Sequence, residues 1–382
     1  MHSKLTRLLA ALGLAAVACA IAPLAFAADP IRIGLVSEIT GPNAEAGANT
    51  VNGAKLAAEE INAAGGVLGR QLELKIEDNQ STNPGSVLAV SKLGSEGNFT
   101  ALIAPVRSTQ IQAAAPAIAK LGIPTMIGGS DYGLTHSGHS WLFRARPNDA
   151  YSAKVMVDYG VRVLKGKKWA IVHSTDTFGA GGKNMVLEEL KARGITPVLV
   201  QGYTNNTQDF TPIVLAIKQS GADILTSYTP FSSDAGIFAT QLRQLGVSIP
   251  WIGSATLVSD STMKLGKDAL YGTLSVSDFF PDANAESKLF AAKYLAKFGR
   301  DADFYASWSY DAVKILALAM TRAKSTQPDA IRKEILAIRG YRGAEGEYIF
   351  DKNGDGLHGY NVVKNEKGKL VFIEHISFTP KQ

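Results

Sequence analysis

Several places in this 382-residue chain gather residue types that could do chemistry, and each lacks one necessary partner. Gly179-Ala180-Gly181-Gly182-Lys183 follows an apolar run as a nucleotide loop would. Walker spacing, however, needs glycine at Thr177 and Ser or Thr at Asn184, and the dinucleotide pattern needs glycine at Asn184 as well. Asp351-x-Asn353-x-Asp355-Gly356 begins like a calcium loop, but its twelfth position is Val362 rather than a bidentate glutamate, which leaves a polar hairpin turn. His136 and His139 share a loop without a third ligand, so no metal is expected. Gly128-Gly129-Ser130-Asp131-Tyr132 misses the hydrolase elbow by its last glycine, and His173, Ser174 and Asp176 crowd one strand end too closely for a triad. With no nucleophile constellation, metal or cofactor expected, non-covalent binding is favoured over enzymatic activity.

The elements that must position a binding site alternate. Ile31–Val36 reads as a strand, and Ala46–Ala63 as a helix with Val51, Ala54, Leu56, Ala57, Ala58 and Ile61 on one side. Leu72–Ile76, Ala101–Ala104 and Pro124–Ile127 follow as strands, separated by helical patterns. The same grammar restarts near Asn148, with strands at Trp169–Val172, Pro197–Gln201, Ile224–Ser227 and Pro250–Ile252. Repeated βαβ units imply an α/β fold of two Rossmann-like lobes with parallel sheets. Ligands of open parallel sheets bind beyond the carboxyl ends of the strands. That rule nominates loops 38–45, 105–110 and 128–132 in the first lobe and 174–179, 228–234 and 253–257 in the second. A ligand touching both sets sits between the lobes, which can close on it by hinge motion.

Composition excludes other classes. At 46% hydrophobic and 19% charged the chain is neither disordered nor collagen-like. Lys4 and Arg7 precede an apolar run from Leu8 to Leu24, and Ala25-Phe26-Ala27 then supplies the small residues of a cleavage site. Residues 1–27 are therefore read as a secretory signal, removed after Ala27. The remainder carries 37 basic against 34 acidic residues, a net +3 that gives little reason to expect nucleic acid as a partner. Its sole cysteine, Cys19, leaves with the leader, so the mature chain has neither disulfide nor thiol nucleophile.

A resemblance then emerges from Thr40-Gly41-Pro42, Asn52-Gly53-Ala54, Glu59-Glu60-Ile61-Asn62-Ala63-Ala64-Gly65-Gly66-Val67, Ala114-Ala115-Pro116, Gly122-Ile123-Pro124, Phe178-Gly179, Tyr310-Asp311-Ala312-Val313 and Phe350-Asp351-Lys352-Asn353-Gly354-Asp355. In order and spacing these fragments, from about Ile31 to Val371, resemble the leucine/isoleucine/valine-type periplasmic binding proteins. The resemblance implies a type I periplasmic binding fold with a three-strand hinge. Lobe one would comprise 30–146 plus 279–350, and lobe two 147–278 plus 351–382. It also implies a monomer in the periplasm that delivers its ligand to an inner-membrane ABC permease. An exported sensory module for an amide or organic acid is the alternative.

Site residues implied by the resemblance fall on both lobes. Ser108 and Thr109, in Ala104-Pro105-Val106-Arg107-Ser108, would hold a ligand carboxylate, and free N–H groups at a helix N-terminus favour an anion there. Gly129, Ser130 and Asp131 fall on a second ligand loop, while Phe178 and Tyr228 occupy aromatic positions. Amino-acid binders of the family place a carboxylate for the ligand ammonium where this chain has Ala255, which cannot serve; Asp131 or Glu45 could substitute. Arg107 could add a cationic fork for a carboxylate. These departures tilt the expectation towards an organic or aromatic acid over an amino acid.

Overall fold

The computed structural model describes residues 29–379, so the leader read at 1–27 lies outside them. The first lobe opens with β1 (Ile31–Ser37), α1 (Ala44–Ala63), β2 (Leu72–Asp78), α2 (Asn83–Glu96), β3 (Ala101–Ile103), α3 (Ser108–Leu121), β4 (Thr125–Ile127), α4 (Gly133–His136) and β5 (Leu142–Pro147). β1 is buried at all but one position, Arg32, as a strand covered on both faces must be, which is why its sequence is mostly apolar. Thr82 caps α2 by accepting from the Gly85 amide at 2.9 Å, and Pro84 sits in its first turn, where no amide hydrogen is needed.

The chain then crosses into the second lobe: α5 (Asp149–Arg162), β6 (Trp169–Ser174), α6 (Thr177–Ala192), β7 (Leu199–Tyr203), α7 (Thr211–Ser220), β8 (Ile224–Tyr228), α8 (Ser232–Gln244), β9 (Trp251–Gly253), a 3-10 turn at Ala255–Val258, α9 (Asp260–Gly266) and β10 (Leu274–Ser277). It returns to the first lobe with α10 (Ala285–Phe298), α11 (Phe304–Ala323), α12 (Pro328–Leu336), the hairpin β11 (Arg339–Arg342) and β12 (Glu347–Ile349), and β13 (Asp355–Leu357). It ends in the second lobe with β14 (Gly359–Glu366) and β15 (Lys369–Ser377).

The first sheet has the order β13-β5-β4-β3-β1-β2 and is parallel throughout. The second has the order β15-β14-β10-β9-β8-β6-β7, parallel except for the pairs that β14 makes. α1 and α11 pack so closely that a Cβ on Gly53 would stand 2.0 Å from the Ala306 carbonyl oxygen. Among the described residues no helix is long and apolar enough to cross a membrane.

Three crossings join the lobes, at Pro147-Asn148, Asp278-Phe279 and Leu357-His358. The third lies later than the sequence reading put it. Residues 351–357, assigned there to lobe two, belong to the first sheet through β13. The physical reason is Asp355, a buried carboxylate that takes Arg144 Nε at 2.8 Å, Thr135 Oγ1 at 2.9 Å and Asn148 Nδ2 at 2.7 Å. Buried polar contacts bind the crossings to one another. Arg146 pairs with Asp278 and donates to the Gly128 carbonyl at 2.7 Å, Asn361 donates to the Asp278 carbonyl at 3.0 Å, and Tyr360 to the Pro147 carbonyl at 2.9 Å.

Candidate functional site

A cleft with about 530 Å³ of empty space, its mouth included, lies between the lobes and is lined from both. The feature of it best suited to an anion is the start of α3. Arg107 precedes the first turn in an extended conformation and its side chain does not cap the helix. Ser108 is therefore the first helical residue rather than the N-cap. Its Oγ accepts from the Asp131 amide at 3.1 Å, which leaves the hydroxyl hydrogen free to donate. The amides of Ser108 and Thr109 have no acceptor within the helix, and both residues line the cleft. A carboxylate placed here meets a hydroxyl, two amides and the positive end of the helix dipole.

Of the residues nominated from sequence, Arg107, Ser108, Thr109, Ser130, Phe178 and Ala255 line the cleft together. The other three stand behind its wall. Gly129 is a packing residue: a Cβ there would come 2.5 Å from Ile111 Cδ1 and 3.1 Å from Ser108 Cα, so glycine lets this loop press against α3. Asp131 turns towards the second lobe, where its Oδ2 would lie 2.0 Å from a Cβ on Gly181. Burial raises its pKa. Tyr228 is fully buried; its ring packs edge-on to Phe178 with centroids 5.5 Å apart, and its hydroxyl lies 2.6 Å from Ser152 Oγ. It supports Phe178 from behind.

Arg107 is largely spent on the protein. Its Nε lies 3.3 Å from Glu38 Oε1, and its Nη1 donates to the Pro230 carbonyl in the other lobe at 2.5 Å. Its guanidinium carbon sits 5.4 Å from the Phe231 ring and 5.5 Å from that of Tyr305. Burial opposes its charge, yet Glu38 holds its pKa above the ordinary value. Arg107 thus clasps the two lobes across the cleft. Glu45 does the same at the rim. Ser261 Oγ and Lys264 Nζ of the second lobe reach it at 2.5 and 3.1 Å, and Arg300 of the first at 2.7 Å. The Ser261 hydroxyl foremost, with Lys264 and Arg300, holds its pKa at about 2 against some burial.

Sequence reasoning missed Arg146, Asp149, Ser152, Phe304, Tyr305 and Tyr360, all of which line the cleft. The strand-end rule could have nominated the loop after β5, but Asn148-Asp149 read as an ordinary helix start. Asn148 does cap α5, accepting from the Ala150 amide at 3.0 Å. Ala255 offers no carboxylate, as expected from its type, and beside it the buried Ser254 Oγ has no partner among the described residues. Elsewhere His136, Asp351 and Asp355 converge within metal-ligand reach of one another. Asp355 is already engaged by Arg144, Thr135 and Asn148, while Asp351 Oδ1 accepts the amides of Asn353 and Asp355 at 2.9 and 3.0 Å. That geometry serves the turn.

Two parallel-sheet lobes, three crossings and an interlobe cleft ending on a helix N-terminus define a bilobed solute-binding protein. The profile of the family described as periplasmic binding protein matches residues 30–369, and the chain belongs to that family. An amino acid binding protein of Pseudomonas aeruginosa is 29% identical over 344 residues, covering 89% of this chain and 91% of its own length. A Leu/Ile/Val-binding protein of Rhizobium johnstonii is 29% identical over 365 residues, covering 93% and 96%. Among solved structures, a leucine binding protein from Thermotoga maritima matches with a TM-score of 0.85 at 23% identity, covering 91% of this chain and 99% of its own. A solute binding protein from R. palustris in complex with benzoate matches with a TM-score of 0.82 at 18% identity, covering 91% and 96%. These structures share the fold.

Proposed function

We propose that this protein is the exported, monomeric solute-binding component of an ABC importer and captures a small carboxylate between its lobes. The observation that carries this reading is the start of α3, where the free hydroxyl of Ser108 and the amides of Ser108 and Thr109 open into an interlobe cleft. Phe178, Phe304, Tyr305 and Val276 line the same cleft and would cover the apolar body of the ligand. Capture is reversible and makes or breaks no bond. The ligand shifts an open–closed equilibrium, and the closed form presents the surface that an inner-membrane permease reads. The relatives named for leucine, isoleucine and valine, and the neighbour holding benzoate, support a small ligand that carries a carboxylate.

Thermal-shift screening of the purified protein against amino acids, benzoate and other small carboxylates, followed by calorimetry, tests the reading. At least one carboxylate is expected to bind, and Ser108→Ala to weaken it about tenfold, the worth of one hydrogen bond to a charged group. A protein that binds no carboxylate, or a Ser108→Ala variant with unaltered affinity, would overturn it.

A further inference from the structure

Two buried carboxylate oxygens at the hinge, Asp278 Oδ1 and Glu345 Oε2, have no hydrogen-bond partner among the described residues. Asp278 is 3% exposed and stands on the second crossing. Its other oxygen pairs with Arg146, beside the first crossing, and its carbonyl accepts from Asn361, just past the third. The three crossings thus meet at this residue. Glu345 is 5% exposed and lies in the loop of the β11–β12 hairpin, in the first lobe. Its amide donates to Asp311 Oδ2 of α11 at 2.9 Å, which fixes it to that lobe, and its Oε1 takes the hydroxyl of Ser307 at 2.7 Å.

Glu345 therefore stands between two other acids, Asp278 and Asp311, with one buried guanidinium, Arg146, among them. Like charges in a buried site favour a proton on one of the three. Their hydrogen bonds say which. Asp278 has its ion pair with Arg146. Asp311 accepts the amides of Ala344 and Glu345 at 2.8 and 2.9 Å and the Tyr348 hydroxyl at 2.8 Å. Glu345 has a serine hydroxyl. A hydrogen on its Oε2 removes one negative charge and supplies the donor that Asp278 Oδ1 lacks, so one proton answers both orphaned oxygens. We propose that Glu345 is an un-ionised acid at pH 7 and donates this hydrogen to Asp278, a tie that pins the second crossing to the first lobe and lets go as pH rises. On release the proton leaves through a hollow on the flank of the hinge, which Glu345 borders together with Glu347, His358 and His375. Two carboxylates are then left facing each other across the hinge. The proposal does not depend on what the cleft binds.

The sign with pH follows from the surroundings of Glu345. Asp278 faces it from the second crossing, Arg146 from β5, Asp311 from α11 and Tyr348 from β12, besides the groups bordering the hollow. Burial first, and then the charge of Asp278, raise its pKa well above the ordinary value, with Arg146 opposing. A raised pKa gives stability that is complete below about pH 4.5, the unfolded value, and is lost as pH rises. The loss reaches at most about tenfold in the folding equilibrium per pH unit and stops once Glu345 is ionised.

Denaturant unfolding of wild type and Glu345→Gln between pH 5 and 9 is the test, with infrared spectroscopy and small-angle scattering on the same ligand-free samples. Glutamine keeps the shape and a donor for Asp278 but cannot ionise. Wild type is expected to lose stability relative to the variant as pH rises, by up to about tenfold per unit. At pH 7 it should show a carboxylic-acid carbonyl band that Glu345→Gln lacks, and it should open with rising pH more than the variant does. Ser307→Ala removes a hydrogen bond that favours the ionised form, so it should carry the loss to higher pH, and it supplies the readout if Glu345→Gln does not fold. Parallel stability profiles of wild type and Glu345→Gln, an acid band that the variant retains, or identical opening in both proteins would overturn the proposal. So would a Ser307→Ala profile that superimposes on that of wild type.

Discussion

Glu45 offers a measure of how much the rim contributes to closure. It belongs to the first lobe, in the first turn of α1, and does not line the cleft. When the lobes part it keeps Arg300 and loses Ser261 and Lys264. A carboxyl held at about 2 instead of 4.5 would correspond to ~3 kcal/mol at full strength. The side chain is 36% exposed, however, and solvent screening reduces this to ~1 kcal/mol, of which the second-lobe contacts are the larger part. Glu45→Gln is therefore expected to weaken ligand affinity about threefold, the second-lobe share of that figure, with the variant and wild type converging in 1 M salt. The sign with pH is fixed by the lowered pKa: the stabilisation is complete above about pH 4.5 and disappears as pH falls towards 2. Calorimetry on Glu45→Gln, Ser261→Ala and the double variant, with small-angle scattering to follow closure, gives the coupling directly. A coupling of zero between Glu45 and Ser261, with unchanged affinity and closure in both single variants, would refute the reasoning.

Gly182 lies where a Cβ would meet the Tyr228 ring at 2.2 Å, so Gly182→Ala is expected to cost ~2 kcal/mol of stability and to lower the denaturant midpoint. An unchanged midpoint would mean that the ring moves freely. Arg107→Lys keeps a charge for Glu38 but loses the planar fork to the Pro230 carbonyl. Scattering should show a more open protein at sub-saturating ligand. Burial raises Asp234, Asp303 and Asp311 to about 6 and Asp149 to about 7. Between about pH 4 and 7 the folded chain thus binds more protons than the unfolded one, and stability falls as pH rises. At lower pH the depressed carboxyls of Glu45, Asp78 and Asp355 lose their contribution. Ligand-free Tm is accordingly expected to peak in mildly acidic buffer, and a Tm that climbs steadily to pH 8 would contradict this.

The strands legible in the sequence are those rich in apolar and β-branched residues with few charges, such as β1, β6 and β8, because burial on both faces leaves little polar alternation to obscure them. β5 was not legible. It reads Leu-Phe-Arg-Ala-Arg-Pro, and its two arginines are buried only because Asp355 and Asp278, more than 130 residues away, neutralise them. No local pattern announces such a partner. Asp149 escaped for the same reason, since the strand whose end it follows was unseen. Ser108 and Thr109 were accessible because a helix N-terminus after a strand is a local event. Whether Asp131 or Tyr228 faces the cleft depends on how the lobes meet, which one lobe's sequence does not encode.

Because β13 fills the edge of the first sheet beside β5, neither half of the molecule is a continuous stretch of chain. A ribosome making this polypeptide finishes most of the first half early, yet the acid that neutralises Arg144 arrives only with residue 355. Until then that half carries a buried-type arginine without its counter-charge and an open sheet edge, both of which disfavour premature compaction. The last few dozen residues act as a late keystone, and C-terminal truncations should unsettle the part of the protein that was synthesised first.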